Sequence, residues 1–161
     1  MTNFLVKINL QAYIRHMKEF VLYILYHDFF YYFTHRLLHS RYFYPLHKIH
    51  HKKSNPEYYD FYSVYIVEIP ISSIGLFIAI YLHKLYMYQV VCAILYIHIR
   101  GLMAHDARCT QFVGDHHLVH HKLIKCNYGE YWLDAMFGTL QTNNSPSKYA
   151  IVPLDESVKI E

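Results

Sequence analysis

The chain has 161 residues, of which 54% are hydrophobic and only 17% charged, with a formal net charge of +3. That length argues for one domain, and the low charged fraction argues for a membrane-associated chain. A net charge this small, with no basic tract standing apart, gives no electrostatic footprint for nucleic acid. Cys92, Cys109 and Cys126 are widely spaced and odd in number, without a CxxC pair, so neither a disulfide framework nor a zinc ribbon is indicated.

The opening residues, "MTNFLVKINLQAYIRHMKEF", mix charge into apolar sequence and show no cleavage pattern of a secretory signal. Residues 20–33, "FVLYILYHDFFYYF", are apolar. As a helix they reach about 21 Å, short of the roughly 30 Å hydrocarbon core. They span a bilayer only if their helix extends back through Tyr13 or on through Leu38. Residues 61–82, "FYSVYIVEIPISSIGLFIAIYL", carry one charge, Glu68. As one helix they would reach about 33 Å, and Pro70 and Gly75 are expected to bend or break it. Residues 85–104, "LYMYQVVCAILYIHIRGLMA", form a second apolar arm with Arg100 near its end.

Only His83 and Lys84 separate the two arms, so residues 61–104 read as a membrane hairpin that enters and leaves by one face. Its flanks are basic: Arg36, Arg41, Lys48, Lys52 and Lys53 before it, and Arg108, Lys122 and Lys125 after it. The positive-inside rule puts both flanks in the cytosol. A short amphipathic helix is expected from about Glu130 to Phe137, and the tail from Gln141, with Asn143, Asn144, Ser145 and Pro146, reads as loop. The fold class is all-α. It is expected to be an integral membrane helical bundle, with a transmembrane hairpin and a cytosolic histidine-rich helical cap, in a single domain of residues 1–161 with a short N-terminal region 1–26.

The fourteen histidines carry the chemistry. His35 and His39 form HxxxH, His47, His50 and His51 form HxxHH, His105 is followed by Asp106, and His117, His120 and His121 form a second HxxHH. On a helix, residues three and four apart share a face, so each box is expected to aim two or three imidazoles at one point. These nine exceed what one metal holds, whereas two metals would receive four or five each and keep positions open for oxygen or water. Imidazole suits iron, copper, nickel and zinc alike.

Asp28, Tyr32, His35 and His39 fall on one helical stripe. Asp28 is therefore expected to accept a hydrogen bond from a ligating imidazole, a role that Asp106 and Asp115 could share. His16, His83 and His98 read as ordinary polar residues, while His27 and His116 adjoin boxes without fitting their spacing.

The run HRLLH, LHKIHH, an apolar hairpin, AHD, HHLVHH, NYGEYW and DAMFGT resembles the fatty acid hydroxylase/sterol desaturase superfamily, nearest to the sterol C5-desaturases (lathosterol oxidases). The resemblance covers residues 27 to about 142. It implies an integral membrane oxidase, in the endoplasmic reticulum, with a di-iron centre on the cytosolic face. Such an enzyme hydroxylates or desaturates a sterol, fatty acyl chain or sphingolipid, using O₂ and electrons from cytochrome b5 and its NAD(P)H-dependent reductase. Carried over residue by residue, the metal ligands fall on His35, His39, His47, His50, His51, His105, His117, His120 and His121. All of these except His47 are also read as catalytic, with Asp28, Tyr32 and Asp106 behind them. The alternative is a histidine-rich membrane metal-binding or transport protein without oxidase activity. A transporter would place its histidines within its spans, and here the boxes stand outside the hairpin.

Overall fold

The computed structural model describes residues 10–83 and 86–142; the regular structure among them is all helical, with no strand. Lys84, at the expected hairpin tip, and the expected loop from Asn143 onward lie outside the described residues, as do residues 1–9.

Helix α1, Leu10–Leu38, is one uninterrupted helix of 29 residues. It reaches about 43 Å, so the short apolar segment 20–33 extends in both directions. After it come α2 (Tyr44–His47) and two 3-10 turns (His50–Lys52 and Tyr58–Tyr62). Then follow α3 (Glu68–Ser72), α4 (Ile74–Leu82) and α5 (Met87–Ala104). A third 3-10 turn, Ala107–Cys109, precedes α6 (Thr110–Val113), α7 (His116–Leu123) and α8 (Tyr131–Met136). The last of these sits where the amphipathic helix was expected.

The first arm of the hairpin is broken, as Pro70 and Gly75 led one to expect, and the break between α3 and α4 falls between those two residues. Residues 61–62 close a 3-10 turn, and α3 is separated from α4 at Ser73, whose φ and ψ of −95° and 4° leave the helical region. Pro70 is the third residue of α3, where its missing N–H breaks no ladder bond, and it bars the helix from running back through Ile66. Helix α4 alone has 9 residues, about 14 Å. Among the described residues, α5 is the one helix long and apolar enough to cross a membrane.

Three helices form the frame. Gly75 of α4 lies against α1; a Cβ there would overlap the Tyr26 carbonyl and sit 2.9 Å from Phe30 Cβ. One turn further on, Ala79 packs with Tyr23 and with Ala93 of α5, so α4 runs antiparallel to α1. Helix α5 runs parallel to α1: Gln89 donates to Glu19 at 2.7 Å near one end, and Arg100 pairs with Asp28 further along. The C-terminal ends of α1 and α5 therefore lie at the same end of the frame. The outward faces remain apolar, with Val21, Leu25, Phe29, Phe33 and Leu37 exposed along α1 at helical spacing, and Val91, Leu95 and Ile99 on α5.

Candidate metal centre

The nine boxed imidazoles converge beyond those shared helix ends in two groups. His35, His39, His47, His51 and His120 form one, and His50, His105, His117 and His121 form the other, with the candidate ligand atoms in each within 4.8 Å of one another. Helix α1 contributes His35 in its last turn and His39 just past its end; His105 caps α5; α7 contributes its three.

Each HxxHH box is divided between the groups rather than aimed at one point. On α7, His117 and His121 are four apart and share a face, while His120 is turned about 100° from His121 and points to the other group. The first box straddles the end of α2 and a 3-10 turn in which His51 is non-helical, and it too splits, with His47 and His51 against His50.

The outer ring nitrogens of four imidazoles show which tautomer those rings take. His35 Nδ1 donates to the Tyr128 carbonyl at 2.6 Å and His120 Nδ1 to the Cys126 carbonyl at 2.6 Å. His105 Nδ1 donates to the Gly101 carbonyl at 2.7 Å, and His121 Nδ1 to the Lys53 carbonyl at 3.3 Å. His47 Nδ1 faces Glu68 Oε1 at 2.8 Å. A carbonyl only accepts, so in the four rings that meet one the proton lies on Nδ1 and Nε2 carries the lone pair. Yet His35 and His120 lie in one group and His105 and His121 in the other, with the candidate ligand atoms of each group within 4.8 Å of one another. Two lone pairs facing each other repel, and a cation between them removes the repulsion. His121 Nε2 is likewise buried with no hydrogen-bond partner among the described residues. The donor set thus fits a metal ion in each group. Nitrogen-only coordination suits first-row transition metals.

Burial also keeps these rings in the ligating form. It lowers the His47 pKa to about 4. Burial, reinforced by neighbouring imidazoles, takes His121 down to about 3 and holds His117 and His120 well below the ordinary value. Neutral imidazole is the form that binds metal.

The segment "NYGEYWLDAMFGT" has a physical task here. Asp134 is fully buried. It accepts from the Tyr128 and Gly129 amides at 2.8 and 2.9 Å, from Thr139 Oγ1 at 2.6 Å and from His116 Nε2 at 3.0 Å. Asn127, in the left-handed region at φ 55°, bonds the His116 and Gln141 carbonyls. Together they hold the turn whose Cys126 and Tyr128 carbonyls receive the protons of His120 and His35.

Three sequence-stretch expectations behind the boxes are corrected. Asp28 touches no boxed imidazole. It is buried between His27 Nδ1, at 3.3 Å, and the guanidinium of Arg100, which also reaches Glu130 at 3.2 Å. A buried carboxylate takes whichever cation reaches it, and here that is 72 residues along the chain. Tyr32 donates its hydroxyl proton to Thr139 Oγ1, 2.9 Å away, and stacks on Phe137. Asp106 holds Arg108 and caps its 3-10 turn. Asp28→Asn is accordingly expected to leave metal content at the wild-type level. It should cost on the order of 3 kcal/mol of stability, because Arg100 loses a buried partner. Paired metal analysis and denaturation of one preparation check both halves.

Residues that sequence reasoning did not place at the site are Glu68, Asp134 and Gly101. Glu68 had a signal, being the lone charge in an apolar run, where a carboxylate must find a partner.

A helical frame that gathers nine imidazoles from separate segments into two convergent groups defines a protein with two candidate metal positions at one end of its helices. The chain belongs to the fatty acid hydroxylase family, whose model matches residues 20–139. It is similar to the Delta(7)-sterol 5(6)-desaturase ERG3B of Gibberella zeae, 28% identical over 155 aligned residues that cover 87% of this chain and 46% of the relative. The chain thus spans about half the length of that curated relative. No solved structure matches it.

Proposed function

We propose that the chain is a membrane-bound lipid oxidase that holds two iron ions in its two histidine groups. It hydroxylates or desaturates a sterol or acyl chain, using O₂ and electrons from cytochrome b5 and its reductase. The single observation that carries this reading is the joining of two features. Nine neutral imidazoles, seven of them buried and His39 and His117 half-buried, form two groups, and an apolar-walled cavity of about 330 Å³ opens on one of them. His50, His105 and His117 of the four-histidine group line that cavity, with Phe61, Val64 and Ile97 in its wall. None of the five-histidine group does.

Bound iron would supply the oxidising power to break an unactivated C–H bond, chemistry that belongs to the cofactor. The chain supplies the rest. The backbone carbonyls of Gly101, Lys53, Cys126 and Tyr128 fix ring orientation. The apolar wall excludes water and gives a hydrocarbon a place to lie against the four-histidine group. Exposed apolar stripes on α1 and α5 support a bilayer setting. In that setting the basic residues near the boxes favour a cytosolic face, on the endoplasmic reticulum.

The test is lipid analysis of cells expressing the chain, fed a Δ7-sterol and, separately, labelled fatty acids. An oxygen-dependent alcohol or alkene product supports the proposal. A metal-loaded chain that yields no product from any lipid contradicts it and favours a metal-binding protein.

The cavity shape rests on Gly101. A Cβ there would overlap the Phe61 ring, whose Cζ lies 3.0 Å away, and Phe61 packs edge-on to His98 and His105, at 5.2 and 5.6 Å. Gly101→Leu would push that ring into the cavity. The overpacking should cost about 1–3 kcal/mol of stability, and the narrowed cavity should lower turnover of the accepted lipid. Metal content should not change, and Phe61→Ala in the same chain should restore part of the loss, as steady-state kinetics with metal analysis will show.

A further inference from the structure

We propose that Glu68 is a positioning residue of the five-histidine group, acting through His47. Glu68 lies in the first turn of α3, a segment that contributes no imidazole, and it is buried to 4% exposure. Its Oε1 meets His47 Nδ1 at 2.8 Å, and its Oε2 is buried with no hydrogen-bond partner among the described residues. The other outer nitrogens with a partner (those of His35, His105, His120 and His121) meet backbone carbonyls. His47 alone among these meets a side-chain carboxyl.

A carboxyl group half-satisfied in a buried place is unfavourable by itself. An acid that served only to complement the start of a short helix would turn outward to water. Glu68 instead turns inward, onto a ring whose other nitrogen points into a group of lone pairs. An ionised carboxylate behind an imidazole fixes its tautomer and raises the basicity of the ligating nitrogen, so it favours a cation on the far side of the ring. It also brings a negative charge to a set of ligands that is otherwise neutral. Losing such a partner typically weakens metal affinity by roughly 10–100-fold.

The inference rests on the two-metal reading above, and the experiment separates the two. Wild-type chain and Glu68→Gln are purified in detergent, loaded with iron or with cobalt as a spectroscopic probe, and challenged with a chelator. Metal per chain and the cobalt absorption spectrum are followed over time. Glutamine keeps the shape and an acceptor oxygen but carries no charge. Glu68→Gln is expected to release one metal about 10–100-fold faster than wild type, with an altered cobalt spectrum, while the second metal leaves at the wild-type rate. In a chain that already carries His47→Asn, adding Glu68→Gln should change neither release nor spectrum, because the effect passes through His47. Release and spectrum unchanged by Glu68→Gln would overturn the inference, whatever the wild-type metal count. So would a full effect persisting without His47. A wild type that holds no more than one metal would contradict the two-metal reading instead.

Discussion

His121→Ala is expected to abolish lipid oxidation and to lower bound metal from two ions per chain to one. His121 is buried, its Nδ1 is held by the Lys53 carbonyl at 3.3 Å, and its Nε2 has no partner among the described residues. It belongs to the smaller group, with His50, His105 and His117. Alanine leaves three imidazoles on the side that faces the cavity. Even the loss of a group behind a ligand weakens a metal site by roughly 10–100-fold, so losing the ligand itself should exceed that. His83→Ala is the control. His83 caps α4 and packs edge-on to Tyr26 at 5.5 Å, away from both groups, and its loss should leave turnover and metal content near wild type. Parallel measurement of product and metal on the two variants decides. An active His121→Ala chain would mean that His121 is not a ligand.

The second large effect is expected at Asp134, which touches no boxed histidine. Its fully buried carboxylate receives four donors, from Tyr128, Gly129, Thr139 and His116. Each buried donor left unsatisfied costs about 1–3 kcal/mol. Asp134→Ala should therefore destabilise the chain by about 4 kcal/mol or more, allowing for non-additivity. Asparagine should rescue little, because its NH₂ would face two donors at one of the oxygens. The damage should spread to the metal centre, since the same turn presents the carbonyls that hold His35 and His120. Denaturation curves and metal release are expected to worsen together. A variant with wild-type stability and metal retention would refute the role assigned to the turn.

Much of the site was legible in the sequence because imidazoles at spacings of three and four are rarely coincidental on one chain. The boxes named all nine residues that the fold gathers. Their partition was not legible. It depends on where helices stop: α2 ends at His47, and His51 leaves helical geometry at φ −90° and ψ 16°. Spacing rules assume a continuous helix, and the first box does not lie on one.

The first arm of the hairpin breaks, as Pro70 and Gly75 led one to expect, but at Ser73, which composition did not name. Composition measured the apolarity of residues 61–82, but Pro70 and Ser73 set the path of the backbone. Asp28 shows a third limit. Its stripe with His35 and His39 was real, yet its partner, Arg100, comes from a parallel helix that no local pattern reveals. The NYG turn was recognisable as a motif, whereas its task depends on a positive φ at Asn127 and on two carbonyl directions.

Metal analysis of the full chain, purified without chelators, tests the central claim most directly. Two imidazole groups with opposed lone pairs predict two metal ions per folded chain, iron in the active form. A stoichiometry of one or less in folded, active protein would contradict it.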